Sequence, residues 1–159
     1  DLLRWVPGNN GIWSPQNTDR VATYGIETLL AWKQQFGKSI WQINGTYAYT
    51  ISKNEETQKQ WFFVPYHKAT AALAYSYKKW SANYQFLYNG FVYTQSDNDP
   101  SAIIPSYWVS NVGVDYEFFK RNPIKIGAQV LNLWNGKYES LENRMMPGRN
   151  FNLYLIFKF

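Results

Sequence analysis

The chain has 159 residues, room for one domain, with 16 basic and 11 acidic side chains that leave it at +5. It has no cysteine, which excludes disulfide scaffolds and thiolate metal sites, and no apolar run near the roughly 18 residues of a membrane helix. Yet 19% of it is Trp, Tyr or Phe while the mean hydropathy stays negative at -0.46, which points to apolar side chains spread one in two along strands.

The elements follow in chain order. Asp1, Leu2, Leu3, Arg4, Trp5 and Val6, before Pro7 and Gly8, read as the outer end of a strand whose beginning is missing, because a strand across a bilayer takes about 9 to 11 residues. From Tyr24 the row Tyr24, Ile26, Thr28, Leu30, Trp32 interleaves with Gly25, Glu27, Leu29, Ala31. After a basic turn near 33–38, Trp41, Ile43, Gly45, Tyr47 and Tyr49 return against Gln42, Asn44, Thr46 and Ala48, so this is a hairpin with two unlike faces. A polar loop is expected at 52–66. Ala69, Ala71, Leu73, Tyr75 and Tyr77 then alternate with Thr70, Ala72, Ala74 and Ser76. Lys78 and Lys79 make a tight turn into Trp80, Ala82, Tyr84, Phe86 and Tyr88, set against Ser81, Asn83, Gln85, Leu87 and Asn89.

A loop with two prolines is expected at 94–106. Ser110, Val112, Val114 and Tyr116 alternate with Asn111, Gly113 and Asp115, a turn occupies 117–123, and Ile124, Ile126, Ala128 and Val130 alternate with Lys125, Gly127, Gln129 and Leu131. After a long loop at 133–149, the last strand sets Phe159, Phe157, Leu155, Leu153 and Phe151 against Lys158, Tyr154, Asn152 and Asn150. A chain that stops mid-strand on Phe needs that end held or recognised.

Short turns and long loops therefore alternate along seven strands, as in outer-membrane barrels, where turns lie on the periplasmic side and loops outside. Aromatics gather at both ends: Trp32, Tyr75, Tyr77, Trp80, Tyr116 and Phe159 near the turns, Tyr47, Tyr49, Tyr88, Tyr107 and Trp108 near the loops. The expected fold is all-β, a transmembrane antiparallel β-barrel. Inward rows rich in Gly, Ala and Ser would underfill a narrow barrel, so the expectation is a segment of a wide one whose lumen holds water or a plug. The alternative is a complete small eight-stranded barrel, an anchor or narrow pore. The opening Asp1, Leu2, Leu3 carries no signal peptide and reads as a mature product or a piece of something longer.

The basic surplus sits in the short turns, at Lys33, Lys38, Lys78, Lys79, Lys120 and Arg121, while the long loops are nearly balanced; because it lines no strand face, nucleic acid is not an expected partner. The single histidine, His67, has no acidic neighbour in sequence and reads as an interfacial structural residue rather than part of a hydrolytic site. Asp97 and Asp99 have oxygen ligands suited to calcium but read as a solvated loop tip. Trp61, Phe62 and Phe63 are the candidate ligand-facing aromatics. Lys158 reads as an inward or interfacial charge, and no phosphate loop or Cys/His cluster suggests an enzyme, a cofactor or a metal site.

Four motifs in order carry a resemblance. Asn132, Leu133, Trp134, Asn135, Gly136, Lys137, Tyr138 and Glu139, followed by Pro147, Gly148, Arg149 and the closing strand to Phe159, look like the C-terminal signature of TonB-dependent receptors, with Trp134 in place of the commoner Phe. Tyr24, Gly25, Ile26, Glu27, then Tyr47 to Tyr49, then Pro65, Tyr66, His67 resemble earlier strands of that family. The resemblance implies that residues 1–159 are the last seven to eight strands of a barrel of about 22 strands, with the plug absent from this chain. It implies energised import of a scarce nutrient such as cobalamin or a ferric siderophore. Residues 5–17, with Trp13, Ser14 and Pro15, look most like cobalamin-type receptors. The implied location is the Gram-negative outer membrane, C-terminus periplasmic. Implied partners are outer-membrane lipid and lipopolysaccharide, the remaining strands and plug, TonB through that plug, a surface lipoprotein, and the barrel assembly machinery reading Leu155, Phe157 and Phe159.

Overall fold

Residues that alternate between aromatic and amide side chains can share backbone hydrogen bonds with like neighbours without mixing the two faces, and the computed structural model has this arrangement. It describes residues 2–7, 11–119 and 124–157. The strands are β1 (Leu2–Pro7), β2 (Trp13–Asp19), β3 (Val21–Phe36), β4 (Ser39–Asn54), β5 (His67–Tyr77), β6 (Trp80–Asn89), β7 (Val92–Tyr93), β8 (Ile103–Ile104), β9 (Tyr107–Phe118), β10 (Ile124–Leu131), β11 (Glu139–Leu141), β12 (Arg144–Met145) and β13 (Asn150–Phe157). Seven of them form one antiparallel sheet in the order β13-β10-β9-β6-β5-β4-β3. There is no helix among the described residues.

The register propagates a single apolar face across this sheet. Trp32 pairs with Ile43, Ile43 with Leu73, Leu73 with Tyr84, Tyr84 with Val112, Val112 with Val130 and Val130 with Phe151. The opposite face runs Ala31, Asn44, Ala72, Gln85, Asn111 by the same pairings. A slip of one residue anywhere would exchange the faces beyond it, and none of these ladders contains one.

The described residues bury almost no apolar core: Val92 and Ile104 alone fall in that class, while on the apolar face Leu153 is 85% exposed, Phe151 71% and Ile26 66%. Leaving such side chains in water costs about 1.5–3 kcal/mol each, so the apolar face needs hydrocarbon over it. A soluble two-sheet sandwich would instead cover that face with a second sheet.

Several boundaries differ from the sequence reading. β3 and β4 are 16 residues each, longer than a bilayer requires, because Lys33, Gln34 and Gln35 still find partners across the ladder. The turn is therefore only Gly37 and Lys38, with Gly37 at φ +59. The loops carry hairpins of their own, β7 with β8 and β11 with β12, and residues 13–19 form a strand paired to β1 that runs into β3 through Arg20 alone. β1 thus runs antiparallel to β2. Tyr107 is corrected: it pairs with Asn89 on the amide face and stacks on Tyr138 at 4.7 Å, so it belongs to no outer girdle. At the turn end Tyr75 packs on Trp41 at 4.5 Å and Trp80 on Tyr116 at 4.7 Å, with Phe118 4.7 Å from Tyr116, while Phe159 lies outside the described residues.

On the amide face one crossing fixes the last strand. Asp115, Gly127 and Tyr154 are directly opposite one another on β9, β10 and β13. The Tyr154 ring lies over Gly127, and its hydroxyl donates to the Asp115 carboxylate, which also accepts from Ser81 at 3.4 Å and faces Lys125 at 4.0 Å. A Cβ on residue 127 would strike both the Tyr154 ring and the Asp115 carboxylate. Gly127→Ala is expected to cost about 1–3 kcal/mol through overpacking, read as a lower fraction of heat-modifiable barrel in the intact protein, with Gly113→Ala milder because only the Asn83 amide must move.

Candidate functional site

The long-loop end is where the sheet ceases to repeat, and each loop is tied down by amide side chains. In the first loop, residues 55–66, Asn54 accepts from the backbone of Glu56 and Thr57, both at 2.9 Å, which starts the turn. Gln60, 3% exposed, accepts from the Ser52 amide at 3.1 Å and donates to the Val64 carbonyl at 3.2 Å. Asn98 of the second loop pairs with the backbone of Gln60 like another strand, accepting its N–H at 2.7 Å and donating to its carbonyl at 2.8 Å. Lys59 donates to the Asp97 carbonyl at 2.7 Å and the Phe63 amide to the Tyr93 carbonyl at 2.9 Å. The first two loops are thus one hydrogen-bonded body. No local sequence signal marks a contact between residues 38 apart; the one hint is Asn98, an asparagine at φ +56.

That body presents the candidate aromatics together. Trp61 and Phe62 are 4.8 Å apart and Phe62 and Phe63 5.7 Å, with Phe63 45% exposed. In the second loop Phe91 stands 5.6 Å from Tyr93 and 6.2 Å from Tyr66. Burial raises the Tyr66 phenol above its ordinary pKa, reinforced by Tyr93 and Tyr49. The Trp61, Phe62 and Phe63 rings offer stacking faces.

The family-motif residues close the third loop. Asn132, 4% exposed, donates to the Gly136 carbonyl at 2.9 Å and the Pro147 carbonyl at 3.2 Å and accepts the Gly136 amide at 3.0 Å. Asn135 accepts the Arg149 amide at 2.8 Å, and a Cβ on Gly148 would come within 2.8 Å of the Asn135 carboxamide. The Leu133 amide donates to the Ser110 carbonyl at 2.8 Å. Tyr138 reaches over the amide face, where a concavity of about 540 Å³ extends across the sheet from Leu29 and Asn44 to Gln85 and Asn111. These residues hold the loop; the chemistry they supply is hydrogen bonding at a wall.

The other candidates resolve simply. His67 shares a hydrogen bond with the Tyr47 hydroxyl at 2.9 Å and packs 5.0 Å from Tyr49, so it sits within the aromatic belt. Asp99 already accepts the Ser101 amide and hydroxyl at 2.8 Å, bonds that hold its carboxyl below the usual range, and no group of three metal-ligating side chains occurs among the described residues. Leu155 and Phe157 lie on the apolar face of β13, paired with Ile126 and Ile124. Phe159 and Lys158, like Lys120 and Arg121, lie outside the described residues.

An open antiparallel sheet with one hydrocarbon face, one amide face and aromatic rows at both ends is a segment of a transmembrane β-barrel wall. The chain belongs to the TonB-dependent receptors: the family described as "TonB dependent receptor-like, beta-barrel" matches residues 1–133, and members of that family are outer-membrane receptors and transporters, not enzymes. Among solved structures it is similar to "Copper transporter OprC" (20% identity, TM-score 0.74, covering 100% of this chain and 27% of that one). It is also similar to the ferric-catecholate import receptor Fiu from K12 E. coli (19%, 0.70, 95% and 22%) and to the siderophore receptor PirA from Acinetobacter baumannii (19%, 0.64, 99% and 26%). The chain thus spans about a quarter of these structures' length. No curated protein matches it at the sequence level.

Asn132→Ala removes three side-chain hydrogen bonds at a buried position, a loss of about 2–3 kcal/mol in local order. In the intact protein the expected outcome is faster amide exchange at Gly136 and proteolytic nicking within residues 134–148, with β9 and β10 protection unchanged.

Proposed function

We propose that residues 1–159 are the C-terminal portion of the barrel of a TonB-dependent outer-membrane transporter whose plug lies outside this chain, and that the intact protein imports a scarce nutrient chelate, cobalamin or a ferric siderophore. The observation that carries this is the uncharged aromatic rim of Trp61, Phe62 and Phe63, placed by the Gln60 and Asn98 clamp at the loop end of a wall with an amide-lined face. Planar faces suit the corrin or catechol surface of such a chelate, and amides suit its polar periphery. Uptake of metal or ferric chelates by the similar structures is consistent with that class. The segment at residues 5–17 favours cobalamin within it.

In this reading the loops face outward and the C-terminus the periplasm. Lipopolysaccharide and a surface lipoprotein meet the loop end, TonB acts through the plug, and the barrel assembly machinery reads the row Leu155, Phe157 and Phe159. On whole cells an impermeant maleimide is expected to label Ser96→Cys in the intact receptor and to spare Lys79→Cys until the outer membrane is opened; the reverse pattern refutes the orientation.

Ligand contact is read separately. With cyanocobalamin and ferric catecholates as probes, Trp61→Ala and Phe63→Ala are each expected to weaken binding about tenfold, the scale of one lost stacking contact, without lowering barrel yield. Unchanged affinity for every probe refutes the rim as a binding surface. Deleting Phe159 is expected to do the converse, lowering assembled barrel while the survivors bind normally; a loss confined to affinity contradicts the assembly role.

A further inference from the structure

The turn end carries a charge pattern that import through the lumen does not use. The turns Gly37–Lys38 and Lys78–Lys79 are neighbours, because Ser39 pairs with Tyr77, so Lys38, Lys78 and Lys79 stand together. No carboxylate forms an ion pair with any of the three among the described residues. Lys78 lies over the Tyr77 ring at 5.0 Å, at the level of the aromatic girdle. It occupies φ +55 at the first position of its two-residue turn, where the equivalent turn uses Gly37.

Beside this cluster the apolar face is hollowed. A furrow of about 600 Å³ is lined by Trp80, Val114, Tyr116, Phe118, Ile126 and Leu153. Trp80 follows Lys79 directly, and the Lys79 carbonyl accepts the Glu117 amide at 2.9 Å, which locks the turn against β9. From Phe118 at the girdle the furrow climbs past Trp80 and Tyr116 to Val114, Ala128 and Leu153, a rise of about 13 Å along the strands. A cationic rim above a lipid-facing furrow matches one molecule: an anionic headgroup with an acyl chain below it.

We propose that Lys38, Lys78 and Lys79 with the furrow from Trp80 to Leu153 form a docking site for an anionic phospholipid of the leaflet that faces the short turns. The phosphodiester sits among the three ammonium groups and one acyl chain lies in the furrow. The placement in that leaflet rests on the orientation proposed above; the binding chemistry does not. A lysine near an anionic headgroup is worth about a fivefold change in binding, so the three together give strong selectivity over a zwitterionic lipid.

The test uses the intact receptor in detergent, with retained lipid measured by native mass spectrometry after exposure to equal amounts of phosphatidylglycerol and phosphatidylcholine. Wild type is expected to retain phosphatidylglycerol preferentially, and K38Q/K78Q/K79Q to lose that preference at least tenfold. Lys59→Gln at the loop end should keep it. Ala128→Phe, which fills the furrow and leaves the lysines, should reduce retention of long-chain phosphatidylglycerol. Lys78→Gly, which relieves the turn while removing one charge, guards against a folding artefact and should lower retention severalfold in a fully assembled barrel. Equal phosphatidylglycerol retention by wild type and the triple variant overturns the proposal. So does loss of preference in Lys59→Gln to the same degree, since that is nonspecific charge attraction. Free inorganic phosphate at millimolar concentration displacing the lipid also overturns it, because the acyl furrow would then contribute nothing. The readout is independent of orientation, which the maleimide labelling tests alone.

Discussion

Inside hydrocarbon a backbone N–H or C=O has no water to turn to, and each one left unpaired costs several kcal/mol. Every strand must therefore give its full ladder to its neighbours, and the side chains must sort themselves by parity alone. In this chain the sorting runs from β3 to β13: the same pairings that satisfy the backbone carry one row dominated by Trp, Tyr, Leu, Ile and Phe across seven strands and one row dominated by Asn, Gln, Thr and small residues behind it, with Leu29, Leu87 and Leu131 as apolar members of the second. The sparse apolar core, only Val92 and Ile104 among the described residues, is the same constraint seen from the other side. What a soluble protein would bury, this wall turns outward.

The constraint also explains which parts were legible beforehand. A period of two is visible residue by residue, so the faces of Trp80 to Tyr88 and of Ile124 to Val130 could be assigned from sequence, and the two-lysine turn with them. Tyr107 falls on the other face because the regular alternation of its strand starts only at Ser110, and phase is undefined where alternation has not begun. The polar run at 33–36 read as a turn, since nothing in lysine and glutamine says strand; the partner strand makes it one.

The loops were less legible for a different reason. Gln60 and Asn98 meet through space over 38 residues, and neither is unusual in its local context. Asn132, Pro147, Gly148 and Arg149 were singled out by resemblance, and the geometry supplies the reason: one carboxamide joins the start of the third loop to its end. Positive φ at Asn98, Asn132, Asn135 and Asn143 shows the common device, asparagine in left-handed backbone making the tight corners that regular strands do not need.

The central claim is that this sheet is a barrel wall with the aromatic row in lipid and the amide row toward the lumen. Spin labels placed at each residue of β6 in the intact, membrane-embedded protein test it most directly, by comparing accessibility to oxygen, which partitions into lipid, with that to a water-soluble nickel chelate. The account predicts oxygen maxima at residues 80, 82, 84, 86 and 88 and nickel maxima at 81, 83, 85, 87 and 89, with a period of two throughout. Maxima in the opposite phase, or equal accessibility along the strand, would contradict it.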